Sequence, residues 1–256
     1  MTLSWTTTDL SRFSARRKTL KRDVQYVVRT LARWAIISIS LSALFLMAAG
    51  TMHIASIRAY LVTFSSMSLV TMLAVDPRLA RERAHTCPDA VAPHLRFAAA
   101  GLFLLTLTTA AFAVGRLRVF AVTTPLRWIA LLLFFLSSAL QTWAMISNTF
   151  FSPALRIQSE RGHCLIDSGP YRFVRHPGYL AMSISMPASA VAIGSWLGLL
   201  PATAFVIVIR QRAEIEDQFL RVNLAGYVEY TQRVRSGLLL AEGPSTRHVE
   251  NARSLP

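Results

Sequence analysis

The chain has 256 residues, of which 53% are hydrophobic and 16% charged, and it carries a formal net charge of +14. A soluble domain is nearer a quarter charged, so the class is integral membrane protein. The basic residues fall between apolar runs rather than on one soluble face. That pattern fits membrane topology and anionic headgroups and argues against a nucleic-acid partner.

In chain order, residues 1–33 turn from polar to basic (Arg12, Arg16, Arg17, Lys18, Lys21, Arg22, Arg29 and Arg33). The basic leader is too long for an ordinary signal peptide, which predicts a largely disordered tail before a retained first helix. Apolar runs follow near 34–52, 59–75, 97–115 and 126–150. Each approaches the ~20 residues that carry a helix across the hydrocarbon core. Their polar interruptions, such as Ser38, Ser40 and Ser42, are expected to face neighbouring helices.

A fifth apolar stretch, 179–209, is too long for one span at ~1.5 Å per residue. Gly194-Ser195, Gly198 and Pro201 interrupt it, predicting a helical hairpin with short arms. Charge counting agrees. With the hairpin and an inside N-terminus, 23 Lys/Arg lie in inner segments and four, Arg58, Arg116, Arg118 and Arg127, in outer loops.

The predicted fold is all-α: a polytopic membrane protein with four transmembrane helices, a C-terminal helical hairpin and a cytosolic helix. Residues 34–125 form the N-terminal transmembrane helices, 126–240 the functional core and 241–256 a disordered tail. The expected location is the cell (inner) membrane, with both termini cytoplasmic.

The densest chemistry lies in Gly169-Pro170-Tyr171-Arg172-Phe173-Val174-Arg175-His176-Pro177-Gly178-Tyr179, at the mouth of that hairpin. Charge there is costly to desolvate and marks a ligand site, unless the arginines merely anchor helix ends. Beyond the hairpin, Arg212 and Glu216 stand four apart on one helical face. By spacing alone they are either a solvated ion pair of ~0.3–0.5 kcal/mol or half of a site. Under the hairpin topology both segments share one side of the membrane.

The ordered set Gly-Pro-Tyr-Arg-x-x-Arg-His-Pro-x-Tyr, a hairpin, Arg212-x-x-x-Glu216-Asp217-x-x-Leu220 and Gly226-Tyr227-x-x-Tyr230 resembles the isoprenylcysteine carboxyl methyltransferase family. The likeness is to its bacterial multi-pass members, which are related to phospholipid methyltransferases. Asn148-Thr149-Phe150-Phe151-Ser152 and Arg156-Ile157-Gln158-x-Glu160-Arg161-Gly162-His163 extend it, so that it covers about 126–240. Three positions depart from the pattern: Asp217 replaces a second Glu, Ala181 a frequent glycine, and Leu224-Ala225-Gly226-Tyr227 a Phe-Gly.

The resemblance implies an integral-membrane enzyme that uses S-adenosylmethionine without a Rossmann domain. No GxGxxG or P-loop pattern is present to offer a soluble-type nucleotide site. Carried over by motif, Gln158, His163, Cys164, Leu165, Ile166, Tyr171, Arg175, His176, Pro177, Gly178, Tyr179 and Glu216 would contact the cofactor. Arg212 would meet the carboxylate of a lipophilic or lipidated, isoprenylcysteine-like substrate entering from the bilayer.

Each residue type suits its task. An arginine fork holds a carboxylate, Glu216 can receive the cofactor's ammonium and keep Arg212 aimed, and tyrosine faces attract a sulfonium. No metal is expected: Cys87 and Cys164 lack CxxC spacing, and His53, His85 and His94 have no ligand spacing. Tyr227 and Tyr230 are expected to dock the last helix or sit at the interface. Arginine far outnumbers lysine, as in GC-rich bacterial genomes, where prenylated CaaX proteins are generally lacking; another lipophilic acid or thiol then becomes a candidate acceptor. Three other functions remain compatible: a phospholipid or amine N-methyltransferase, an NADPH-dependent sterol-type membrane reductase, and a non-enzymatic membrane factor. The reductases typically carry Asn where Gly178 stands.

Overall fold

The computed structural model describes residues 7–83 and 91–238, with side chains from residue 25 onward. Cys87, His85 and the 241–256 tail lie outside the described residues. Helix α1 runs Thr7–Ala49, α2 Ala55–Ala74, α3 Pro77–Glu82 and α4 Pro93–Phe112, which ends in a π-turn at Ala113–Leu117. Then come α5 (Thr124–Ser147), α6 (Pro177–Ile193), α7 (Leu199–Asn223) and α8 (Tyr227–Arg233). Four helical segments are long and apolar enough to cross a membrane: Gln25–Ala49, Ala55–Ala74, Pro93–Leu117 and Thr124–Ser147. The protein is thus all-α and multi-pass.

Helix α1 differs from the expected tail, because it covers most of residues 1–33. Neither Gly nor Pro occurs between residues 7 and 49, and Arg, Lys and Leu are good helix formers, so nothing local stops the helix. It ends where Gly50 takes a left-handed φ of 73°. Proline opens α3, α4, α5 and α6 within their first two positions, where its missing N–H costs nothing.

The hairpin forms as the breakers predicted, with a turn at 194–198 between α6 and α7. Pro201, however, breaks nothing. It occupies the third position of α7, in the first turn, where a backbone N–H has no helical partner anyway. The only internal proline of α6, Pro187, lies in a helix buried against α2, α4, α5 and α7.

Close packing around α6 rests on small residues. Ala181, Ala188, Ser189, Ala190 and Ala192 are buried and let neighbouring backbones approach. Polar links cross between helices: Tyr60 Oη donates to Ser189 Oγ (3.1 Å) and Ser56 Oγ to the Ile193 carbonyl (2.7 Å). Of the three serines expected at helix contacts, Ser38 meets Ser65 at 2.8 Å, whereas Ser42 bonds back to its own helix and Ser40 is exposed. Large apolar side chains such as Ile36, Val62, Leu132 and Leu200 remain on the outside, as a lipid-facing surface requires.

The two ends of the bundle differ. At one, Val122 N–H donates to the Gly194 carbonyl and Trp196 N–H to that of Phe120, both at 2.9 Å. Arg116 there caps the Ala48 and Met47 carbonyls, and Arg127 that of Val122. The other end gathers α3, residues 148–176 and the segment from 210 to 238. The arginine-poor loops and the arginine-rich segments of the sequence thus fall at opposite ends.

Helices α1 and α4 meet closely at Gly115, where a Cβ would lie 2.3 Å from the Ala49 carbonyl oxygen and 2.5 Å from its Cα. Backbone cannot yield as a side chain can, and overpacking costs ~1–3 kcal/mol. Gly115→Leu is therefore expected to lower the thermal midpoint in detergent by several degrees. Gly101→Leu, with open space around the added atoms, should leave it within error. Scanning fluorimetry of the two variants measures the difference.

Candidate active site

The site is built from a loop after α5, the first turn of α6 and the outer half of α7. Asn148 ends α5: its Oδ1 accepts from Phe150 N–H (2.8 Å), and its Nδ2 donates to Tyr171 Oη (3.3 Å). Gln158, 1% exposed, then folds the loop on itself, since Nε2 donates to the Phe150 carbonyl (2.8 Å) and Oε1 accepts from Arg161. Arg161 also reaches the Thr149 carbonyl (2.8 Å) and lies 5.6 Å from the Phe150 ring centre. His163 stacks on that ring at 4.4 Å, and its Nδ1 accepts from Gln158 N–H at 3.2 Å. Arg156 fixes the loop to α3 by pairing with Glu82 and Glu160, both at 2.7 Å.

Across from this loop, Pro177 starts α6 and Gly178 faces Phe151. A Cβ on Gly178 would fall 2.5 Å from Phe151 Cε2, so the bare backbone is what lets the ring lie there. Tyr179 Oη donates to Glu216 Oε2 at 2.6 Å. Arg212, 7% exposed, donates from Nη2 to the Pro153 carbonyl at 2.9 Å, and its Cζ stands 6.0 Å from the Tyr179 ring centre. No ion pair joins Arg212 to Glu216 among the described residues, which corrects the expectation that Glu216 keeps Arg212 aimed. The Pro153 carbonyl and the Tyr179 ring hold the guanidinium, and the Tyr179 hydroxyl engages the carboxylate.

These groups surround a cavity of about 350 Å³. Its polar end is lined by Tyr171, His176, Tyr179, Arg212 and Glu216, with Cys164, Leu165 and Ile166 along one side. Its other end runs among Phe103, Met182, Met186, Phe205 and Ile209, inside the apolar bundle. Glu216 is the one acidic side chain in the lining among the described residues.

Behind the cavity, Asp217 joins four side chains. Oδ1 accepts from Arg175 Nε (2.8 Å) and Tyr227 Oη (2.9 Å), Oδ2 accepts from Arg221 (2.9 Å), and His176 Nε2 lies 3.4 Å from Oδ1, off line for a hydrogen bond. Burial alone would raise this carboxyl's pKa, but His176, Arg175 and Arg221 outweigh it and hold it far below the usual carboxylate range. Arg175 continues to the Val234 and Arg235 carbonyls, while the N–H groups of Arg175 and His176 donate to those of Ser236 and Gly237. Tyr230 Oη adds a buried bond to the Tyr171 carbonyl at 2.7 Å. The segment after α8 is thereby strapped under the Tyr171–His176 turn, with Tyr227 and Tyr230 docking α8 as expected.

The expected site residues therefore divide. His163, Cys164, Leu165, Ile166, Tyr171, Arg175, His176, Pro177, Gly178, Tyr179, Arg212 and Glu216 share one cavity, whereas Gln158 is buried behind its wall. Gln158 organises the loop because both ends of its amide are consumed there. Arg175 borders the cavity, but its guanidinium is committed to Asp217 and to carbonyls. Arg172 is exposed. The sequence reading missed Pro153, Phe151, Arg83 and Arg96. Phe151 stood in the quoted motif without a role, and nothing in the local pattern of the other three announces them, since each enters through tertiary approach.

Two expectations follow. Breaking a buried pair costs ~3–5 kcal/mol, so Asp217→Asn should raise hydrogen exchange together in 169–176 and 227–238 and leave α2 and α5 unchanged. A depressed carboxyl stabilises fully above its ordinary 3.8, and that stability is lost as pH falls towards the folded value, so the strap should hold at pH 5. His163 behaves differently. Burial first, then Arg161 and Arg156, lowers its pKa below the ordinary 6.5, favouring the neutral ring whose Nδ1 accepts from Gln158. Its contribution is complete above that value and lost as pH falls below it. Exchange in 149–163, corrected for intrinsic rates, should rise at pH 5.5, and His163→Gln should flatten the response.

The family model "Isoprenylcysteine carboxyl methyltransferase (ICMT) family" matches residues 128–222. A probable protein-S-isoprenylcysteine O-methyltransferase of Oryza sativa subsp. indica is 36% identical over 97 residues, which is 36% of this chain and 49% of the relative. Protein-S-isoprenylcysteine O-methyltransferase B of Arabidopsis thaliana is 30% identical over 103 residues, 38% of this chain and 51% of that protein. The chain thus spans about half the length of the curated relatives it matches. A solved structure of a eukaryotic intramembrane Ras methyltransferase of the family shares the fold, with a TM-score of 0.53 at 18% identity, covering 84% of this chain and 77% of the other. The matched segment holds α5, the cavity loop, the hairpin and the Arg212–Glu216 face, and over that segment the chain is similar to the isoprenylcysteine carboxyl methyltransferase family.

Proposed function

We propose that the protein is an integral-membrane methyltransferase that uses S-adenosylmethionine to methylate the carboxylate of a lipophilic, isoprenylcysteine-like acceptor. The observation that carries this reading is Arg212. Its guanidinium is buried at the cavity wall, has no carboxylate partner among the described residues, and faces a chamber whose far end is apolar. A buried cation without a counter-ion is costly, so the geometry favours a ligand that brings a carboxylate. The chamber's apolar arm, from Met182 to Phe205 and Ile209, suits that ligand's hydrocarbon part.

The remaining residues fit the cofactor. Glu216 is a carboxylate without a cationic partner among the described residues, available to an ammonium. The Tyr179 ring offers an aromatic face to a positive sulfur, and the Leu165-Ile166 wall offers an apolar seat for an adenine. When bound, S-adenosylmethionine supplies an electrophilic methyl group. The acceptor carboxylate is already an anion at neutral pH and needs no base. Arg212 then holds the acceptor oxygen in place, and Phe151, packed on Gly178, narrows the chamber against water. Orientation of this kind supplies ~7–11 kcal/mol of such a barrier.

The same arrangement argues against two of the other readings. An amine acceptor would favour a base and an anionic clamp beyond the carboxylate assigned to the cofactor's ammonium, and the buried group that faces the chamber without a counter-ion among the described residues is a guanidinium. The Asn that membrane reductases typically carry at position 178 would collide with Phe151. We place the protein in the cell's inner membrane with the arginine-rich end, and so the cavity mouth, in the cytoplasm.

Calorimetric titration of detergent-purified protein with S-adenosylmethionine and with NADPH tests the assignment. Micromolar-range binding of the former is expected, weakened at least about tenfold in Glu216→Ala, the loss of one charge-assisted contact. Arg212→Ala should keep cofactor binding and lose transfer of labelled methyl to N-acetyl-S-farnesylcysteine. Preference for NADPH, or binding of neither, ends the reading.

A further inference from the structure

The cavity holds more positive charge than one acceptor carboxylate can match. Arg83, Arg96 and Arg212 all line it, and among the described residues none of the three pairs with a carboxylate. The other two arginines in the lining are already neutralised, Arg156 by Glu82 and Glu160, Arg175 by Asp217. Among the described residues Glu216 is the single acidic group that shares the lining with them.

Arg83 is held where it can act. It follows Glu82, which the pair with Arg156 clamps to the cavity loop, and its Cζ lies 5.5 Å from the centre of the Phe151 ring, the ring seated over Gly178. Burial lowers its pKa, as expected for a guanidinium withdrawn from water without a counter-charge. Arg96, on the first turn of α4, lines the same chamber from the other side of the α3–α4 connection. Both precede residues 128–222, so they are features of this chain outside the matched family segment.

S-adenosylmethionine would add one net positive charge, from its sulfonium, ammonium and carboxylate. A monocarboxylate at Arg212 would then leave an excess of cations in a chamber whose walls continue into the bilayer, where unpaired charge is costly. We propose that the natural acceptor is a lipophilic dianion, whose second anionic group, a carboxylate or phosphate, is received by Arg83 and Arg96 while Arg212 takes the carboxylate that is methylated. This rests on the methyltransferase reading for the role of Arg212, but the second anion site is a property of the cavity itself. The same oxyanion chemistry could come from a lipid headgroup instead of the acceptor, and the test separates the two.

Detergent-solubilised protein of the whole 256-residue chain is titrated with N-acetyl-S-farnesylcysteine and with N-succinyl-S-farnesylcysteine, which adds one carboxymethyl group and with it a second carboxylate. The dianion is expected to bind at least about tenfold tighter, the size of one charge-assisted contact. That advantage should fall below about threefold in Arg83→Gln/Arg96→Gln and survive in large part in Arg83→Lys/Arg96→Lys, with unchanged thermal midpoints showing that all three fold. Equal binding of the two acceptors by the wild type overturns the proposal, as does an advantage that persists in the glutamine variant. Added lysophosphatidylglycerol that erases the advantage assigns the arginines to a bilayer headgroup and likewise overturns it. Methyl transfer is followed separately. Transfer to both acceptors without preference removes the dianion site alone, whereas a preserved binding preference with no transfer to either removes the methyltransferase reading and leaves the site standing.

Discussion

A single half-buried carboxylate holds the polar half of this protein together. Asp217 projects from α7 and meets Arg175, Tyr227 and Arg221 directly, with His176 alongside. Arg175 and His176 open the turn into α6, Tyr227 opens α8, and both N–H groups of the Arg175-His176 pair bind the segment that follows α8. Without that junction, the two polar stretches on either side of the hairpin would keep the Tyr179–Glu216, Arg212–Pro153, Tyr230–Tyr171 and Arg233–Asp167 contacts. Asp217 and Arg221 stand outside the cavity lining, whereas Arg175, His176 and Tyr227 border it. The junction fixes the backs of the groups that do.

The rest of the molecule supplies a frame for this junction. Helix α6 is buried by small residues against four neighbours, so its first turn, where His176 to Tyr179 stand, cannot shift independently of the bundle. The loop after α5 is less embedded and compensates with its own polar network, centred on Gln158 and on the Phe150–His163 stack. The site thus has one wall set by apolar packing and another set by hydrogen bonds. The second responds to mild acid through His163.

Much of this was legible in the sequence, for physical reasons. Apolar length announced the four spanning segments, and glycines at 194 and 198 announced the turn that returns α7 beside α6. The motif order then brought twelve of the thirteen expected site residues to one cavity. What spacing could not resolve was which partner each polar group would choose. Arg212 and Glu216 share a face, as four-residue spacing requires, yet a backbone carbonyl from the opposing loop and a tyrosine hydroxyl claim them first. Gln158 and Arg175 looked equally available, and both are consumed by local structure. Pro201 shows the same limit at the backbone level, since a helix breaker in the first turn of a helix breaks nothing. Arg83 and Arg96 carried no motif at all, because their importance comes from a fold that brings α3 and α4 to the chamber.

Helix α7 runs without interruption from Leu199 to Asn223, so the apolar end of the chamber and its charged end are rigidly connected. Phe205 and Ile209 line the one, and Arg212 and Glu216 the other. At ~1.5 Å per residue, about 10 Å of straight rod separates Phe205 from Arg212. The chain therefore carries a built-in ruler: under the proposed function, a molecule anchored by its hydrocarbon end presents its head group at a fixed height above the bilayer core, and one whose acid stands too near or too far from its chain will miss the guanidinium however well it partitions into the membrane.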